Sequence, residues 1–334
     1  MSKILFYSPV SDLELFQRVG FYATDIKLLR ELGHEVVLAN KLHEVINECY
    51  DVLFAYFYTW SSIAVLIARI RGKFTIMTGG ADELEPSFNN SRKKIFLHRQ
   101  LFRLGYFFSS RILAVSSTDF NNFSKLVGNK KISIAPHVVD TNVFTPGLSR
   151  VPWTLLTIGW MATEENVRRK GMDHAIRILA ALRAANWNAH LIIAGTYGSG
   201  SELLMSLASE LGVSDSVDFR FNISEEEKVF LLQTSCYYLQ LSKFEGFGLA
   251  ALEALSCGSC VIHTGRGGLV DFMHNYGLLQ PMPLQINNVA MEIIKNSASI
   301  SIVDAEAFRR HSYVVQNFSL VKRSKAFAEL ISMI

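Results

Sequence analysis

Several patterns that would place this chain in a common class are missing. Among its 334 residues are only four cysteines, at positions 49, 236, 257 and 260, and the pair Cys257 and Cys260 has no second pair with which to bind zinc. We therefore expect buried free thiols and a reducing, cytoplasmic location. No GxGxxG follows the first predicted strand, which disfavours a dinucleotide-binding dehydrogenase. No Asp-x-Asp motif or other metal-ligand cluster is evident, so we expect no metal.

Long apolar runs are also missing. The first apolar run, residues 4–7, ends too early for a secretory signal. The uncharged stretch 52–68 has Tyr56, Trp60 and two serines in its middle, which is typical of a strand, a loop and a helix rather than a membrane span. With 49% hydrophobic and 19% charged residues, the composition indicates an ordered globular protein, and its length suits two domains.

Acidic residues are absent from residues 86–118, and the first 150 residues carry 18 Lys and Arg against 13 Asp and Glu. At helical spacing this stretch has an apolar stripe, formed by Leu97, Leu101, Leu104 and Phe108, with arginines 92, 99 and 103 opposite. Two interpretations stay open. Residues 92–111 either meet an anionic membrane surface or a phosphorylated, lipid-linked acceptor, or they form a core helix with a solvated basic face. No nucleic-acid motif accompanies the charge, so nucleic acid is not an expected partner.

Short apolar runs alternate with helical patterns in both halves of the chain. The predicted strands are Ile4–Ser8, Glu35–Ala39, Val52–Tyr56, Phe74–Met77, Ile112–Val115 and Ile132–Ala135, then Thr154–Ile158, His190–Ala194, Val217–Phe219, Tyr237–Leu241 and Cys260–His263. The predicted helices include Gly20–Leu32, Gly171–Ala184, Ser201–Leu211, Glu225–Gln233, Gly248–Leu255 and Leu320–Ile334. This β-α-β order implies parallel sheets with right-handed crossovers.

A break rich in proline and glycine, residues 145–152, divides the two halves. We predict an N-terminal domain of residues 1–147 and a C-terminal domain of residues 148–318. The amphipathic last segment, residues 319–334, is predicted to be a helix that crosses back to the N-terminal domain.

Two carboxylates flank a glycine-rich turn in residues 244–255. Glu245 precedes Gly246 and Gly248, and Glu253 follows eight residues after Glu245. At ~100° per residue the two acids would lie within ~80° of each other, so both could face one cleft. Glycine amides at the start of a helix favour a phosphate. The pattern predicts a site for a nucleoside diphosphate that carries a sugar.

This segment resembles the nucleotide-sugar motif of the family 4 retaining glycosyltransferases of GT-B fold, also called glycosyl transferases group 1. Four further segments resemble motifs of that family in the expected order. They are the acceptor-side loop 78–82, the interdomain signature 135–146, the diphosphate-binding basic motif Arg169-Lys170-Gly171, and Gly267-Gly268 with Asp271 in place of a Gly-Gly-x-x-Glu element. The resemblance spans nearly the whole chain. It implies an α/β fold in which two doubly wound Rossmann-like domains face each other across a cleft.

The resemblance also implies a function. It indicates a metal-independent hexosyltransferase that moves a sugar from a nucleotide diphosphate sugar to an acceptor hydroxyl with retention of configuration, in glycan biosynthesis. Glu253 would bind the ribose hydroxyls, and Glu245 would orient the sugar ring. Lys170, with Arg169, would neutralise the charge on the leaving diphosphate. Asp82, in the acceptor-side loop, completes the predicted catalytic residues.

The remaining donor contacts would come from the main chain. Amides of Gly246, Phe247 and Gly248 would meet the phosphates, and the backbone near Gly195 would meet the base. No cofactor is expected beyond the donor substrate. The acceptor is predicted to be a glycan or a lipid-linked or phosphorylated compound, and the protein to be cytoplasmic and peripheral at the inner face of a membrane.

Three positions depart from the family pattern. Trp160 stands where members often have an arginine, Thr78 where many have a histidine, and Val138 where a glycine usually follows the histidine of the interdomain signature. Trp160 and Thr78 keep open a degenerate homologue that acts as a partner protein. A nucleotide-sugar epimerase on the same scaffold is a separate alternative, which would need further acid/base carboxylates that the sequence does not single out.

Overall fold

The computed structural model describes residues 1–85, 91–147, 149–273, 276–297 and 305–332. Residues 86–90 of the acid-free stretch, residue 148 of the predicted domain joint and the last two residues of the predicted final helix lie outside the described residues. The described chain divides into two compact units. Unit 1 contains residues 1–138, 245–247 and 318–334, and unit 2 contains residues 139–244 and 248–317. The predicted joint at 147 and 148 lies nine residues after the division between the units, and the segment 245–247 groups with unit 1. The predicted domains stay a prediction.

Unit 1 is built on a six-stranded parallel sheet. Its strands are β1 (Lys3–Tyr7), β2 (Glu35–Ala39), β3 (Val52–Tyr56), β4 (Phe74–Gly79), β5 (Arg111–Ala114) and β6 (Ile132–Ile134). Its helices are α1 (Leu15–Arg18), α2 (Gly20–Glu31), α3 (Leu42–Asn47), α4 (Ser61–Ile70), α5 (Arg92–Phe108) and α6 (Ser117–Val127), with a short 3-10 helix at Asp82–Leu84. The strand order is β2-β1-β3-β4-β5-β6. Strand β3 is buried along its whole length, as expected for a strand covered by helices on both faces.

Unit 2 has a second six-stranded parallel sheet. Its strands are β7 (Val151–Gly159), β8 (His190–Gly195), β9 (Val217–Phe221), β10 (Ser235–Gln240), β11 (Cys260–His263) and β12 (Gly277–Leu279). The helices that follow β7 in the chain are α7 (Glu164–Lys170), α8 (Met172–Ala184), α9 (Ser199–Glu210), α10 (Glu225–Thr234), α11 (Leu249–Ser256), α12 (Ile286–Ser297), α13 (Ala305–Phe318) and α14 (Leu320–Ile331), with 3-10 helices at Ser214–Ser216 and Gly268–Asp271. The strand order is β12-β11-β10-β7-β8-β9. Eleven strands match the predicted ones, and β12 was missed.

Helix α14, the last in the chain, packs in unit 1 against α2. Its Arg323 is 2% exposed and forms an ion pair with Asp25 of α2, with Nε 2.5 Å from Oδ1 and the second Arg323 nitrogen 2.7 Å from Oδ2. Arg323 also donates to the carbonyl oxygens of Ala135 and Pro136. A buried arginine therefore fixes the end of the chain to the segment that follows β6.

Helix α5 corrects one prediction from the sequence. The buried residues of α5 are Ile95, Phe102 and Gly105, whereas Leu97, from the predicted apolar stripe, is exposed. The cause is a close approach to its neighbours, because a Cβ on Gly105 would lie 2.4 Å from Ser62 Oγ of α4 and 2.9 Å from Met77 of β4. Packing through the glycine turns the helix so that Phe96 and Phe107 point outward, 66% and 73% exposed.

Candidate functional site

The strand order of each sheet reverses at one point. In unit 2 the chain departs in opposite directions from the adjacent pair β7 and β10, and in unit 1 from β1 and β3. In doubly wound sheets, ligands bind beyond the carboxyl ends of the strands at such a reversal. The ends of β7 and β10 are therefore the first place to look for a site in unit 2, and the ends of β1 and β3 the corresponding place in unit 1.

The basic motif lies at the reversal point of unit 2. Helix α7 ends with Arg169 and Lys170, and Gly171 follows in the left-handed conformation with φ +69°. A Cβ on Gly171 would lie 2.3 Å from the Leu241 carbonyl oxygen, so only glycine fits there. The Lys243 amide donates to the Arg169 carbonyl at 2.9 Å. These contacts hold the two cations beside the carboxyl end of β10.

Strand β8 ends at Gly195, which has no side chain. A Cβ on Gly195 would lie 1.9 Å from the carbonyl oxygen of Gly159, its register partner at the end of β7. The stem of Lys170 approaches the same place, because its Cγ lies 3.9 Å from a Cβ built on Gly159. The structure therefore brings Lys170 and the Gly195 backbone, two predicted donor-site elements, to one edge of the sheet of unit 2.

Glu253 lies inside α11 and is only 8% exposed. Its Oε1 accepts a hydrogen bond from Lys228 Nζ of α10 at 3.0 Å. Burial raises the pKa of Glu253 above its ordinary value, although Lys228 opposes that shift. Burial lowers the pKa of Lys228, but Glu253 and Glu225 together raise it above its ordinary value. Two carboxylates contact the single charge of Lys228, and together they outweigh its burial.

The turn that joins β10 to α11 is divided between the units. Glu245, Gly246 and Phe247 group with unit 1, whereas Gly248 and Glu253 group with unit 2. Helix α11 begins at Leu249, after Gly248 with φ +98°. The helical-wheel argument for the two acids is therefore wrong, because Glu245 lies outside the helix. Glu245 is nevertheless buried, as is Glu253.

Within unit 1 the turn meets the acceptor-side loop. A Cβ on Gly246 would lie 2.7 Å from Asp82 Oδ1 and 2.9 Å from the Cα of Gly80. The structure thus brings together Asp82 and Gly246, which the sequence placed on opposite sides of the reaction. The Phe247 ring lies edge-on to the His137 ring, with centroids 5.7 Å apart.

His137 belongs to an aromatic cluster at the carboxyl edge of the first sheet. Its ring stacks on Phe21 at 5.4 Å and on Tyr56 at 6.4 Å. Burial, with the nearby Arg323 charge, holds the pKa of His137 well below its usual value. His137 is therefore neutral at pH 7, and it supports Phe247 as a packed ring rather than as a cation.

The remaining departures from the family pattern have simple structural descriptions. The Thr78 side chain is fully buried and donates to the Leu113 carbonyl of the neighbouring strand at 3.1 Å, so its hydroxyl is engaged within the sheet. Trp160 follows β7 and is 58% exposed. Val138 is buried beside His137.

No group of three or more His, Cys, Asp or Glu residues in the described ranges could hold a metal ion. Within the same ranges, every helix is too short or too polar to cross a lipid bilayer. Sequence reasoning missed Lys228 and Arg323, because both act through partners that are distant in the chain.

Comparison with known families identifies the segment that contains this site. Residues 164–296, which include Arg169, Lys170, Gly195 and both acids, match the family model described as glycosyl transferases group 1. The family resemblance predicted from the motifs is confirmed by this match.

Characterised relatives carry related names. A GDP-mannose:cellobiosyl-diphosphopolyprenol alpha-mannosyltransferase from Xanthomonas campestris is 29% identical over 170 residues, which are 50% of this chain and 43% of that protein. A D-inositol 3-phosphate glycosyltransferase from Corynebacterium jeikeium is 33% identical over 154 residues, which are 41% of this chain and 36% of that protein. The chain thus spans about half or less of the length of the curated relatives it matches.

Solved structures share the fold over the whole chain. Sucrose-phosphate synthase from Thermosynechococcus elongatus has a TM-score of 0.77 at 17% identity, covering 100% of this chain and 99% of that chain. HepE from Anabaena, solved in complex with UDP and glucose, has a TM-score of 0.75 at 17% identity, covering 100% of both chains. The predicted GT-B fold class, with two doubly wound Rossmann-like halves, is confirmed.

Proposed function

We propose that this chain, whose residues 164–296 belong to the glycosyl transferases group 1 family, transfers a hexose from a nucleotide diphosphate sugar to an acceptor hydroxyl. The observation that carries the proposal is the basic turn at the reversal point of the unit 2 sheet. Arg169 and Lys170 are held there by the Gly171 approach to Leu241 and by the bond from the Lys243 amide. Fixed cations at that edge suit the diphosphate of a nucleotide sugar.

Charge handling is the chemical core of the proposed reaction. As the sugar leaves, negative charge grows on the diphosphate, and a preorganised cation stabilises it without a reorganisation cost. Lys170 performs this role, with Arg169 beside it, and the reaction needs no metal ion. Glu253 accepts from the ribose hydroxyls. We propose same-face attack by the acceptor hydroxyl, which passes its proton to the departing phosphate, with retention of configuration.

We assign acceptor binding to unit 1. The names of the relatives include a diphosphopolyprenol-linked sugar and a phosphorylated inositol. We propose an acceptor of this kind, an anionic lipid-linked or phosphorylated hydroxyl compound. The excess of basic residues in the first 150 positions, 18 against 13 acidic ones, complements such a ligand. Asp82 and Glu245 would contact the reacting sugars.

Nucleotide binding tests the donor half of the proposal directly. Thermal unfolding of the full chain is measured with UDP, GDP, ADP, TDP and CMP, and then with sugar nucleotides of the base that binds. We expect one diphosphate to raise the unfolding temperature and CMP not to do so. Conversion of the donor without an acceptor would instead favour an epimerase. No shift with any nucleotide would favour a degenerate partner protein and contradict the proposal.

Helix α5 supports a peripheral membrane location. Its outward face combines Phe96 and Phe107 with the exposed cations Arg92, Lys93 and Arg103. Aromatic side chains at the headgroup level, flanked by basic residues, bind anionic lipid surfaces. We propose that this face rests on an anionic membrane, where a lipid-linked acceptor would be found.

Vesicle sedimentation tests the membrane proposal. The chain should pellet with vesicles that contain phosphatidylglycerol and much less with pure phosphatidylcholine, and added salt should weaken the binding. Replacing Phe96 and Phe107 by serine should release it. Phe230→Ser removes an equally exposed ring from unit 2 and is the matched control. Equal release by the control variant would exclude α5 as the contact.

A further inference from the structure

Lys228, a cation that the family motifs do not include, contacts the predicted ribose-binding acid Glu253. It lies in the first half of α10, a helix capped by Ser224, whose side chain accepts from the Glu227 amide at 3.1 Å. Lys228 Nζ contacts two carboxylates, Glu253 at 3.0 Å and Glu225 at 2.9 Å. It also lies 5.0 Å from the centre of the Phe144 ring. These three contacts hold a flexible side chain in one place.

The two oxygens of the Glu253 carboxylate have different surroundings. Lys228 meets Oε1 of Glu253, and the structure records no other hydrogen bond or ion pair of this carboxylate with the described residues. The ionisable groups that face it are Lys228 and Glu225 from α10, and Cys257, which follows α11. Arg150 donates to the Cys257 carbonyl at 2.6 Å.

We propose that Lys228 is a positioning residue of the donor site, which occupies one oxygen of Glu253 and keeps that acid ionised so that its other oxygen accepts from the ribose diol of a nucleoside diphosphate. This inference rests on the proposed function and assigns a residue to it. A hydrogen bond to an ionised acceptor is about twice as strong as a neutral one. An acid in a buried site without a cation tends to bind a proton instead.

The pKa shifts agree with this geometry. Burial raises the pKa of Glu253, and Lys228 is the group that pulls it down, whereas Glu225 pushes it up. Removing the lysine charge must therefore raise the pKa of Glu253 further. Nucleotide affinity should then begin to fall at a higher pH than in the wild type. A purely structural role for Lys228 would not move the pH at which affinity falls.

The test measures the Kd of UDP, GDP, ADP and TDP for the full chain by calorimetry between about pH 5.5 and pH 9. For the diphosphate that binds, Lys228→Met should weaken binding on the order of tenfold near pH 6 and much less near pH 9. Lys228→Arg keeps the positive charge, so it should retain the wild-type pH dependence of the Kd. Glu225→Gln is the opposing variant: it leaves the contact between Lys228 and Glu253 in place, and because Glu225 raises the pKa of Glu253, its loss should move the fall in affinity to a lower pH.

The outcomes separate this inference from the function on which it rests. If none of UDP, GDP, ADP and TDP binds the wild type, both the function and the role of Lys228 are overturned. If Glu253→Gln weakens nucleotide binding but Lys228→Met leaves the pH profile unchanged, only the Lys228 inference fails. Equal loss at every pH with a lower unfolding temperature would show a structural role and also overturn it. Lys228→Gln keeps a hydrogen-bond donor, so wild-type behaviour of that variant would show that the charge is not needed.

Discussion

The carboxyl edges of the two sheets carry different types of residue. In unit 1 the edge beyond β1 and β3 is filled with stacked rings, including Phe21, Tyr56 and His137. In unit 2 the edge beyond β7, β8 and β10 carries glycines, and a Cβ on Gly171 or Gly195 would meet the carbonyl oxygen of Leu241 or Gly159. Bare backbone beside cations lets a diphosphate approach closely, whereas packed rings make a shaped surface. The difference predicts that donor binding tolerates few changes of residue in unit 2.

The units also differ in how they use a buried arginine. Arg323 of unit 1 forms an ion pair with Asp25, which in turn accepts a hydrogen bond from Tyr56. Arg150 of unit 2 donates to the carbonyl oxygens of Ser235 and Cys257 and to the Ser259 hydroxyl at 3.2 Å. Loss of the first would leave a buried opposite charge, whereas loss of the second would leave neutral acceptors. The stability of unit 1 should therefore depend more strongly on its arginine.

Arg323→Met is expected to have the largest effect of all. Removing one partner of a buried ion pair costs about 3–5 kcal/mol. Arg150→Met leaves carbonyl oxygens unsatisfied, which costs about 1–3 kcal/mol. Urea unfolding of both variants measures these losses. It is monitored by the fluorescence of a tryptophan in unit 2 and by far-ultraviolet circular dichroism.

A second substitution checks the cause of that loss. In Arg323→Met combined with Asp25→Leu the uncompensated charge is gone, so the double variant should be more stable than Arg323→Met alone. If Arg150→Met proves as damaging as Arg323→Met, the contrast between the two units in their use of a buried arginine is wrong.

Lys170→Ala tests whether unit 2 stabilises the charge on the leaving group. Removing one preorganised charge from the leaving group lowers kcat by about 10²–10³-fold, while the donor KM changes less. Arg177→Ala removes an exposed arginine from α8, the next helix, and should leave turnover near the wild-type rate. Steady-state kinetics with the identified sugar nucleotide would measure both variants. Unchanged kcat in Lys170→Ala would remove the main support for unit 2 as the charge-handling half.

The sheets were predictable because their signals are local. Buried parallel strands are short apolar runs between turn residues, and eleven of the twelve strands could be placed from that pattern. Strand β12, three residues long, carries too little signal of its own. Helix α7 was also missed, because its residues Glu164–Lys170 are charged or polar at almost every position.

The orientation of α5 and the role of Lys228 were not predictable from local patterns. The wheel of α5 gave an apolar stripe, but the close contact of Gly105 with Ser62 decided which face is buried. A glycine has no apolar side chain, so the hydrophobic periodicity of a helix does not show that its position is buried. Likewise, Lys228 follows three acids in sequence, and only the packing of α10 beside α11 brings it to Glu253. Contacts between distant segments carry such information, and single-sequence patterns do not.

Glu253→Ala should have a smaller effect than Lys170→Ala, and a different one. It removes an acceptor of the proposed ribose hydrogen bonds, so the donor KM should rise by about 10- to 100-fold, equivalent to about 1.4–2.7 kcal/mol, with kcat less affected. Glu210→Gln, at the exposed end of α9, is the control. A fall in kcat at constant KM would mean that Glu253 acts on the transition state and not on donor binding.

The smallest expected effect concerns the pH dependence of unit 1. The folded-state pKa of His137 lies well below its ordinary value, because burial and the Arg323 charge disfavour the protonated ring. Below about pH 6.5 the unfolded chain therefore binds a proton that the folded chain does not. Stability contributed by the neutral ring is complete above about pH 6.5 and is lost as the pH falls toward the folded pKa.

The expected loss from this single group is about 1 kcal/mol per pH unit below pH 6.5. His137→Phe keeps a ring against Phe21 and Phe247 but cannot titrate, so its free energy of unfolding should fall less steeply between about pH 7 and pH 5.5. His43→Gln, at an exposed position of α3, is the matched control. Urea unfolding at several pH values measures the slopes. Parallel slopes for wild type and His137→Phe would mean that the aromatic edge of unit 1 does not depend on a neutral histidine.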